Sequence, residues 1–160
     1  APGKILNLSN KSTGALRTQP TRGRKAMPHV IVEYSANLVG AVEIRPLLQA
    51  LHEAAIATGV FPAGGVRTRA ERPDEYIVAD GRAEAAFVHV MLRIGAGRDA
   101  PTKKRAADSV FAVLCDRLKP VQDARPLAIS LEVQELDPVL NLKKNNLHAY
   151  LAADKAKEPA

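Results

Sequence analysis

The strongest constraint on the fold is a strand–helix–strand pattern that occurs twice along the chain. Apolar residues recur at helical spacing in residues 44–58 and 102–118, whereas residues 87–94 and 127–134 alternate between apolar and polar, as strands do. Shorter strands are expected at residues 30–34 and near 66–69. Two fused strand-helix-strand units predict an α+β fold of two layers, with both helices on one face of the sheet.

Proline and glycine set the expected helix limits. Pro46 is tolerated because it falls in the first turn of the first helix, and Gly59 is expected to end that helix. The second helix is expected from about Thr102 to Leu118, with Pro120 behind it. Its apolar face is predicted to hold Ala107, Val110, Phe111, Leu114 and Leu118.

Charge separates the first 26 residues from the rest. Residues 1–26 carry six basic and no acidic side chains, so the other 17 basic residues balance the 17 acidic ones. The basic excess therefore belongs to residues 1–26 and is poor support for a nucleic-acid-binding domain in the rest of the chain. Alternative interpretations of residues 1–26, here called the leader, are a basic arm that contacts nucleic acid and a transit peptide. The leader lacks the apolar core of a signal peptide or membrane span. We interpret residues 1–26 as a basic leader or an artificial extension.

Residues 27–152 are long enough for one domain with a real core, and residues 153–160 are expected to form a flexible tail. The single cysteine, Cys115, cannot form an internal disulfide, which fits a reducing cytoplasm. Because Cys115 falls in a predicted helix, a small buried apolar role is favoured over a nucleophile. The histidines His29, His52 and His148 show no metal-ligand spacing.

Met27-Pro28 directly precedes the first predicted strand. If the biological chain starts at Met27, removal of that methionine leaves Pro28 as the first residue. An amino-terminal proline is a secondary amine that can accept and return a proton, which an internal proline cannot do. The junction therefore raises the hypothesis of acid–base chemistry at Pro28.

Several short segments, in order along the chain, resemble the 5-carboxymethyl-2-hydroxymuconate isomerase family over roughly residues 28–151. They are Pro28-His29-Val30-Ile31-Val32-Glu33, Thr58-Gly59-Val60-Phe61-Pro62, Gly65-Val66-Arg67-Thr68-Arg69, Ala79-Asp80-Gly81, Phe87-Val88-His89, Ile94-Gly95-Ala96-Gly97-Arg98, and residues 140–146 with His148. That family belongs to the tautomerase superfamily. The resemblance implies a tautomerase-like two-layer fold, an amino-terminal proline as general base, a homotrimer, and no cofactor or metal.

The resemblance also assigns site residues. It implies that Pro28, Arg67 and Arg98 are catalytic and that the two arginines bind substrate. Phe61 is a further candidate for substrate binding at the wall of the site, with a core or subunit-contact role as the alternative. Spacing alone cannot choose between Arg67 and Arg69, because residues two apart on a strand share a face. Arg69 is expected to pair with an acidic neighbour or to face solvent.

Arg98 follows a Gly-x-Gly segment and directly precedes a predicted helix, so helix-start amides are expected to share an anion with it. His89 is expected to be a hydrogen-bonded structural histidine rather than a pocket residue. By analogy with the family, Asn145, Asn146 and the nearby leucines are expected to pack on a neighbouring subunit.

The implied substrate is a small carboxylated dienol from homoprotocatechuate-type aromatic degradation. The implied activity is a keto–enol isomerisation that transposes C=C bonds, with Pro28 as the base and no role for nucleic acid or membrane. The alternative is a catalytically silent trimeric binding protein, in which a retained leader keeps the Pro28 nitrogen as an amide. Arginine suits either binding role because its planar fork matches a carboxylate.

Overall fold

The computed structural model describes residues 27–156. Four strands and three helices follow one another as β1 (His29–Tyr34), α1 (Ile44–Ala57), β2 (Arg67–Glu71), β3 (Ala86–Gly95), α2 (Ala100–Ala124), β4 (Leu127–Leu136) and α3 (Leu147–Lys155). Short 3₁₀ turns occupy Ala36–Leu38 and Ala63–Gly65. The repeated strand-helix-strand order expected from the sequence is confirmed. The predicted leader, residues 1–26, lies outside the described residues.

The strands form one mixed sheet in the order β2-β1-β3-β4. Within each unit the two strands are parallel, and the units meet through the antiparallel β1–β3 pair. Strands β1 and β2 therefore begin at the same edge of the sheet at which β3 and β4 end. This edge brings the amino end of β1 close to the residues that follow β3.

The core lies between one face of the sheet and the helices α1 and α2, as the sequence predicted. Strand β3 shows the alternation most clearly, since its apolar residues facing the helices are at most 1% exposed. The core residues from both units form one cluster, of which the central members are Val30, Val32, Leu47, Leu51, Val88, Val90, Leu92, Val110, Leu114 and Leu118. Burying such side chains supplies most of the drive to fold.

Helix α2 is longer than the sequence indicated. It begins at Ala100 and runs through Pro120 to Ala124, so the expectation that Pro120 lies behind the helix is wrong. A proline removes one helical hydrogen bond, but here its ring is exposed and the flanking residues Leu118 and Val121 pack on the core. Phe111 was expected on the apolar face, yet it is 36% exposed.

Helix α3 packs on the turn Ala63–Gly65 of the same chain. The Asn145 side chain donates from Nδ2 to the Gly64 carbonyl oxygen at 2.9 Å, just before α3 begins. The contact with a neighbouring subunit expected for this residue remains a prediction. Because α3 ends at Lys155, the expected domain boundary at residue 152 falls within a helix.

Candidate active site

Two of the expected site residues, Pro28 and Arg67, lie side by side at the sheet edge where β1 and β2 begin. Pro28 precedes β1 and its side chain is fully buried. Its carbonyl oxygen accepts a hydrogen bond from the backbone N–H of Arg67 at 3.0 Å. The parallel pairing of β1 with β2 thus places Arg67 beside Pro28, although 38 residues separate them in the chain.

The Arg67 guanidinium reaches the residue that precedes Pro28. Its Nη1 donates to the thioether sulfur of Met27 at 2.8 Å. A thioether is a weak acceptor, and Arg67 forms no ion pair within residues 27–156. A partly buried arginine without a carboxylate partner, beside Pro28, is chemically suited to bind an anion.

Arg98 lies in the loop between β3 and α2 and is held by contacts within the chain. Its guanidinium donates to the carbonyl oxygens of Gly95 at 3.1 Å and Val60 at 3.3 Å. The carbon Cζ lies 5.4 Å from the centre of the Phe61 ring, a cation–π contact. Phe61 itself is 3% exposed and belongs to the core cluster, which fits the alternative core role. The structure therefore joins Arg98 to a core ring, and substrate contact by Phe61 stays a prediction.

Two of the helix-start amides that were expected to share an anion with Arg98 are engaged within the chain, and the sharing itself stays a prediction. Asp99 is the N-cap of α2, and its carboxylate accepts from the Thr102 N–H at 2.7 Å. The Lys103 N–H donates to the Asp99 carbonyl oxygen, and Pro101 has no N–H to offer. The hydrogen bond from Thr102 also lowers the pKa of Asp99. This cap, which the sequence analysis missed, is signalled by an Asp before a helix with proline in its first turn.

Arg69 has a different environment from Arg67, as the sequence analysis expected. Its Nε donates to the Glu71 carboxylate at 2.8 Å, and both side chains are largely exposed. An exposed ion pair of this kind contributes little to stability, on the order of 0–1 kcal/mol. The structure thus distinguishes the two arginines that spacing alone could not separate.

The turn Ala63–Gly65 packs against Pro28 on one side and against His148 on the other. A Cβ atom added to Gly65 would lie 3.5 Å from Pro28 Cδ and 3.7 Å from Pro62 Cγ. On the other side of the turn, a Cβ added to Gly64 would lie 2.7 Å from His148 Nδ1, which leaves no room for a larger residue unless the ring moves. The packing therefore requires glycine at position 64, whereas a Cβ at position 65 would make ordinary van der Waals contacts.

The other histidines have ordinary partners. His89 Nδ1 lies 2.8 Å from the Ser130 hydroxyl, so the expected hydrogen-bonded histidine is confirmed. His52 Nδ1 lies 2.9 Å from Thr68 Oγ1, which ties α1 to β2.

Cys115 is free and partly buried. No described helix is long and apolar enough to cross a membrane.

Comparison with known proteins agrees with this architecture. A family model described as 5-carboxymethyl-2-hydroxymuconate isomerase matches residues 28–151. The 5-carboxymethyl-2-hydroxymuconate Delta-isomerase of Escherichia coli is 38% identical over 123 residues, which cover 77% of this chain and 98% of that relative.

Solved structures give the same answer. A crystal structure of a 5-carboxymethyl-2-hydroxymuconate isomerase from Deinococcus radiodurans R1 matches with a TM-score of 0.74 and 42% identity, over 79% of this chain and 96% of that one. A fused 4-OT wild-type symmetric trimer shares the fold alone, with a TM-score of 0.51 and 17% identity, over 73% of this chain and 95% of that one. The fold is thus tautomerase-like, as expected. Sequence and structure together show that this chain belongs to the 5-carboxymethyl-2-hydroxymuconate isomerase family.

Proposed function

We propose that the chain, once cut to begin at Pro28, is a cofactor-independent isomerase of carboxylated dienols. The Pro28 nitrogen takes the proton of the enol hydroxyl and returns it to a carbon of the same molecule. The double bonds move between these two steps, so no electron or proton is gained or lost overall. The substrate class follows from the family, in which the E. coli relative is a 5-carboxymethyl-2-hydroxymuconate Delta-isomerase.

The observation that carries this proposal is the contact between Arg67 and the Met27–Pro28 junction. Arg67 lies at hydrogen-bond distance from Met27 and is backbone-paired with Pro28. If Met27 is removed, the guanidinium loses its thioether partner and lies beside a free secondary amine. A substrate carboxylate is then a stronger acceptor for Arg67 than the sulfur that it replaces.

Cationic surroundings suit a base at this position. A general base works best when its pKa is near the working pH, whereas a free α-amino group ordinarily has a pKa of about 7.7 to 8 and a secondary amine a higher one. Nearby positive charge and burial both disfavour the protonated amine. Arg67 and the burial of Pro28 therefore act in the same direction.

Arg98 is proposed to bind a substrate carboxylate from the position of Phe61, the residue before Pro62. It stacks on Phe61, and Pro62 and Pro28 both approach Gly65. Its two donor contacts are to neutral carbonyl oxygens, so its charge is not neutralised by a carboxylate among residues 27–156. We therefore assign Pro28 as the base and Arg67 and Arg98 as the anion-binding residues.

The decisive experiment compares ketonisation of a 2-hydroxymuconate-type dienol by two samples whose first residues are verified by intact mass. The protein starting at Pro28 should be active, and the full chain should be much slower because an amide nitrogen has no basic lone pair. The full-chain variant Met27→Ala is the matched control, since it frees Arg67 but keeps the amide. Equal rates for the full and cut chains would refute the role of Pro28 and favour the alternative of a silent binding protein.

We also propose that the protein assembles as a homotrimer. The segment around α3 exposes several large apolar side chains, including Val139 (78%), Leu140 (80%) and Leu142 (90%). Exposed apolar clusters of this kind are typical of protein interfaces. A trimer is the assembly of the fused 4-OT protein that shares the fold.

A further inference from the structure

A row of basic side chains begins one residue beyond Pro28, on the sheet face opposite the helices. His29 is paired with Arg67 on β2 and with Arg93 on β3, so these three side chains form a row across adjacent strands. Residues directly paired across strands lie on the same face of a sheet. Arg69 also reaches the ring, with its Nη1 3.4 Å from His29 Nδ1. Burial and then the charges of Arg67, Arg69 and Arg93 lower the pKa of His29.

Arg93 resembles Arg67 in lacking a carboxylate partner. It is partly buried, its Nε donates to the amide oxygen of Gln134 at 2.9 Å, and its Nη2 lies 3.3 Å from the Met91 sulfur. Within the described part of the chain it forms no ion pair, and Nη1 has no hydrogen-bond partner. Two of its donors are thus free or held only by a weak acceptor.

Acidic side chains on this face lie elsewhere. Glu71 is engaged by Arg69, and Glu33 lies four positions further along β1 than His29, at about 13 Å by strand geometry. Glu132 is paired with Met91 rather than with Arg93 and lies near His89. The row at the beginning of β1 is therefore a local excess of positive charge, which favours an anionic ligand.

From this arrangement we propose that Arg93 and His29 join Arg67 in one subsite, which binds the substrate carboxylate assigned to Arg67, while Arg98 binds a second carboxylate. Adjacent strands are about 4.8 Å apart, so Arg67 and Arg93 lie on the two strands that flank His29. If the Arg93 guanidinium turns from Gln134 towards His29, the two arginines can bind one oxyanion group between them. The subsite makes the enzyme select di- or tricarboxylates over monocarboxylates. This inference rests on the proposed function, because it assigns a further binding contact for the same substrate.

The test uses two six-carbon acids that differ by one carboxylate, adipate and hexanoate, as non-reacting probes of the protein starting at Pro28. That protein spans the segment that covers 98% of the E. coli relative, so it contains the whole domain. Arg93→Gln should weaken adipate binding about tenfold or more, as loss of a charge-assisted contact does, and change hexanoate binding by less than about twofold. Arg93→Lys, which keeps the charge, should restore part of the loss. Arg45→Gln, a change at an exposed arginine of α1, is the matched control and should alter neither affinity.

The His29 ring gives a second readout. Bound adipate should raise the pKa of His29, which can be measured by NMR titration of a ring proton. Arg93→Gln should reduce that rise. The proposal is overturned if Arg93→Gln weakens both acids equally or neither. If adipate is preferred over hexanoate only when Arg93 is present, but the protein turns over no dienol, the proposed reaction alone is refuted. If the protein turns over the dienol normally, but Arg93→Gln leaves adipate binding unchanged, the subsite alone is refuted.

Discussion

Arg67 and Arg98 are expected to matter about equally for catalysis but very differently for stability. Each is assigned one charge-assisted carboxylate contact of about 1.5–3 kcal/mol, so Arg67→Ala and Arg98→Ala should each lower kcat/KM by at least about tenfold. Their contacts within the protein are not alike. Arg98 is tied to two carbonyl oxygens and an aromatic ring, whereas Arg67 contacts a sulfur atom through its side chain.

The difference in stability can be worked out from these contacts. Truncating Arg98 removes two charged-donor hydrogen bonds, one of them long, and a cation–π contact, for a combined loss of about 2–4 kcal/mol. Truncating Arg67 keeps its backbone bond to Pro28 and removes only a thioether contact, so about 0.5 kcal/mol or less is expected. The two substitutions should therefore have similar kinetic effects, whereas the loss in free energy of unfolding should be several-fold larger for Arg98→Ala than for Arg67→Ala.

The assay is urea unfolding at a fixed protomer concentration, because assembly makes apparent stability depend on concentration. Arg69→Ala is the matched control, for which far smaller changes in activity and stability are expected. Its ion pair with Glu71 is exposed, and its contact with His29 Nδ1 is long at 3.4 Å. The reasoning is refuted if Arg98→Ala unfolds at the wild-type urea midpoint, or if Arg67→Ala is the more destabilising change. Activity should be measured where each variant is fully folded, so that lost structure is not counted as lost catalysis.

Three further outcomes are expected. Sedimentation of the protein should give a trimer at micromolar concentration, and a stable monomer would contradict the proposed assembly. Asn145→Ala removes the hydrogen bond to Gly64, so amide hydrogen exchange should accelerate in α3 while the core strands stay protected; equal protection in both variants would show that α3 is held by other contacts. The pKa of His29 is lowered from 6.5 in the folded protein, so below pH 6.5 the His29 ring is protonated more readily in the unfolded chain than in the folded one. The free energy of unfolding should therefore fall as the pH drops from 6.5 towards the lowered pKa. His29→Gln should flatten that part of the stability–pH curve, and an unchanged curve would contradict the assignment.

The elements that were predictable from sequence are those with a local, repeating signal. The alternation in β3 and the helical spacing in α1 were sufficient to find both elements within about one residue at each end. Helix α2 was harder, because Pro120 is a strong local stop signal that the packing of Leu118 and Val121 overrides. Tertiary packing can override a local stop signal, and the local sequence does not show how strongly the neighbouring residues will pack.

The site was predictable only in part, because its residues are brought together by strand pairing. Family resemblance supplied Arg67 and Arg98, and the structure adds that Arg98 is stacked on Phe61. Nothing in the local sequence pairs His29 with Arg93, since their proximity depends on the antiparallel register of β1 and β3. The cap at Asp99 had a recognisable signal, but its consequence for the helix-start amides required the hydrogen bonds themselves.

One covalent event at the Met27–Pro28 bond changes both halves of the proposed site. With Met27 attached, the Pro28 nitrogen is an amide and the Arg67 guanidinium is in contact with the methionine sulfur. Without it, the same nitrogen is a secondary amine, which the proposed mechanism uses as the base. The same guanidinium then loses the methionine sulfur as a partner, and the proposed mechanism uses it to bind a carboxylate. The base and its anion-binding partner thus become available together, because β1 and β2 begin side by side at this edge of the sheet. Cleavage at this bond is therefore expected to act on substrate binding as well as on proton transfer.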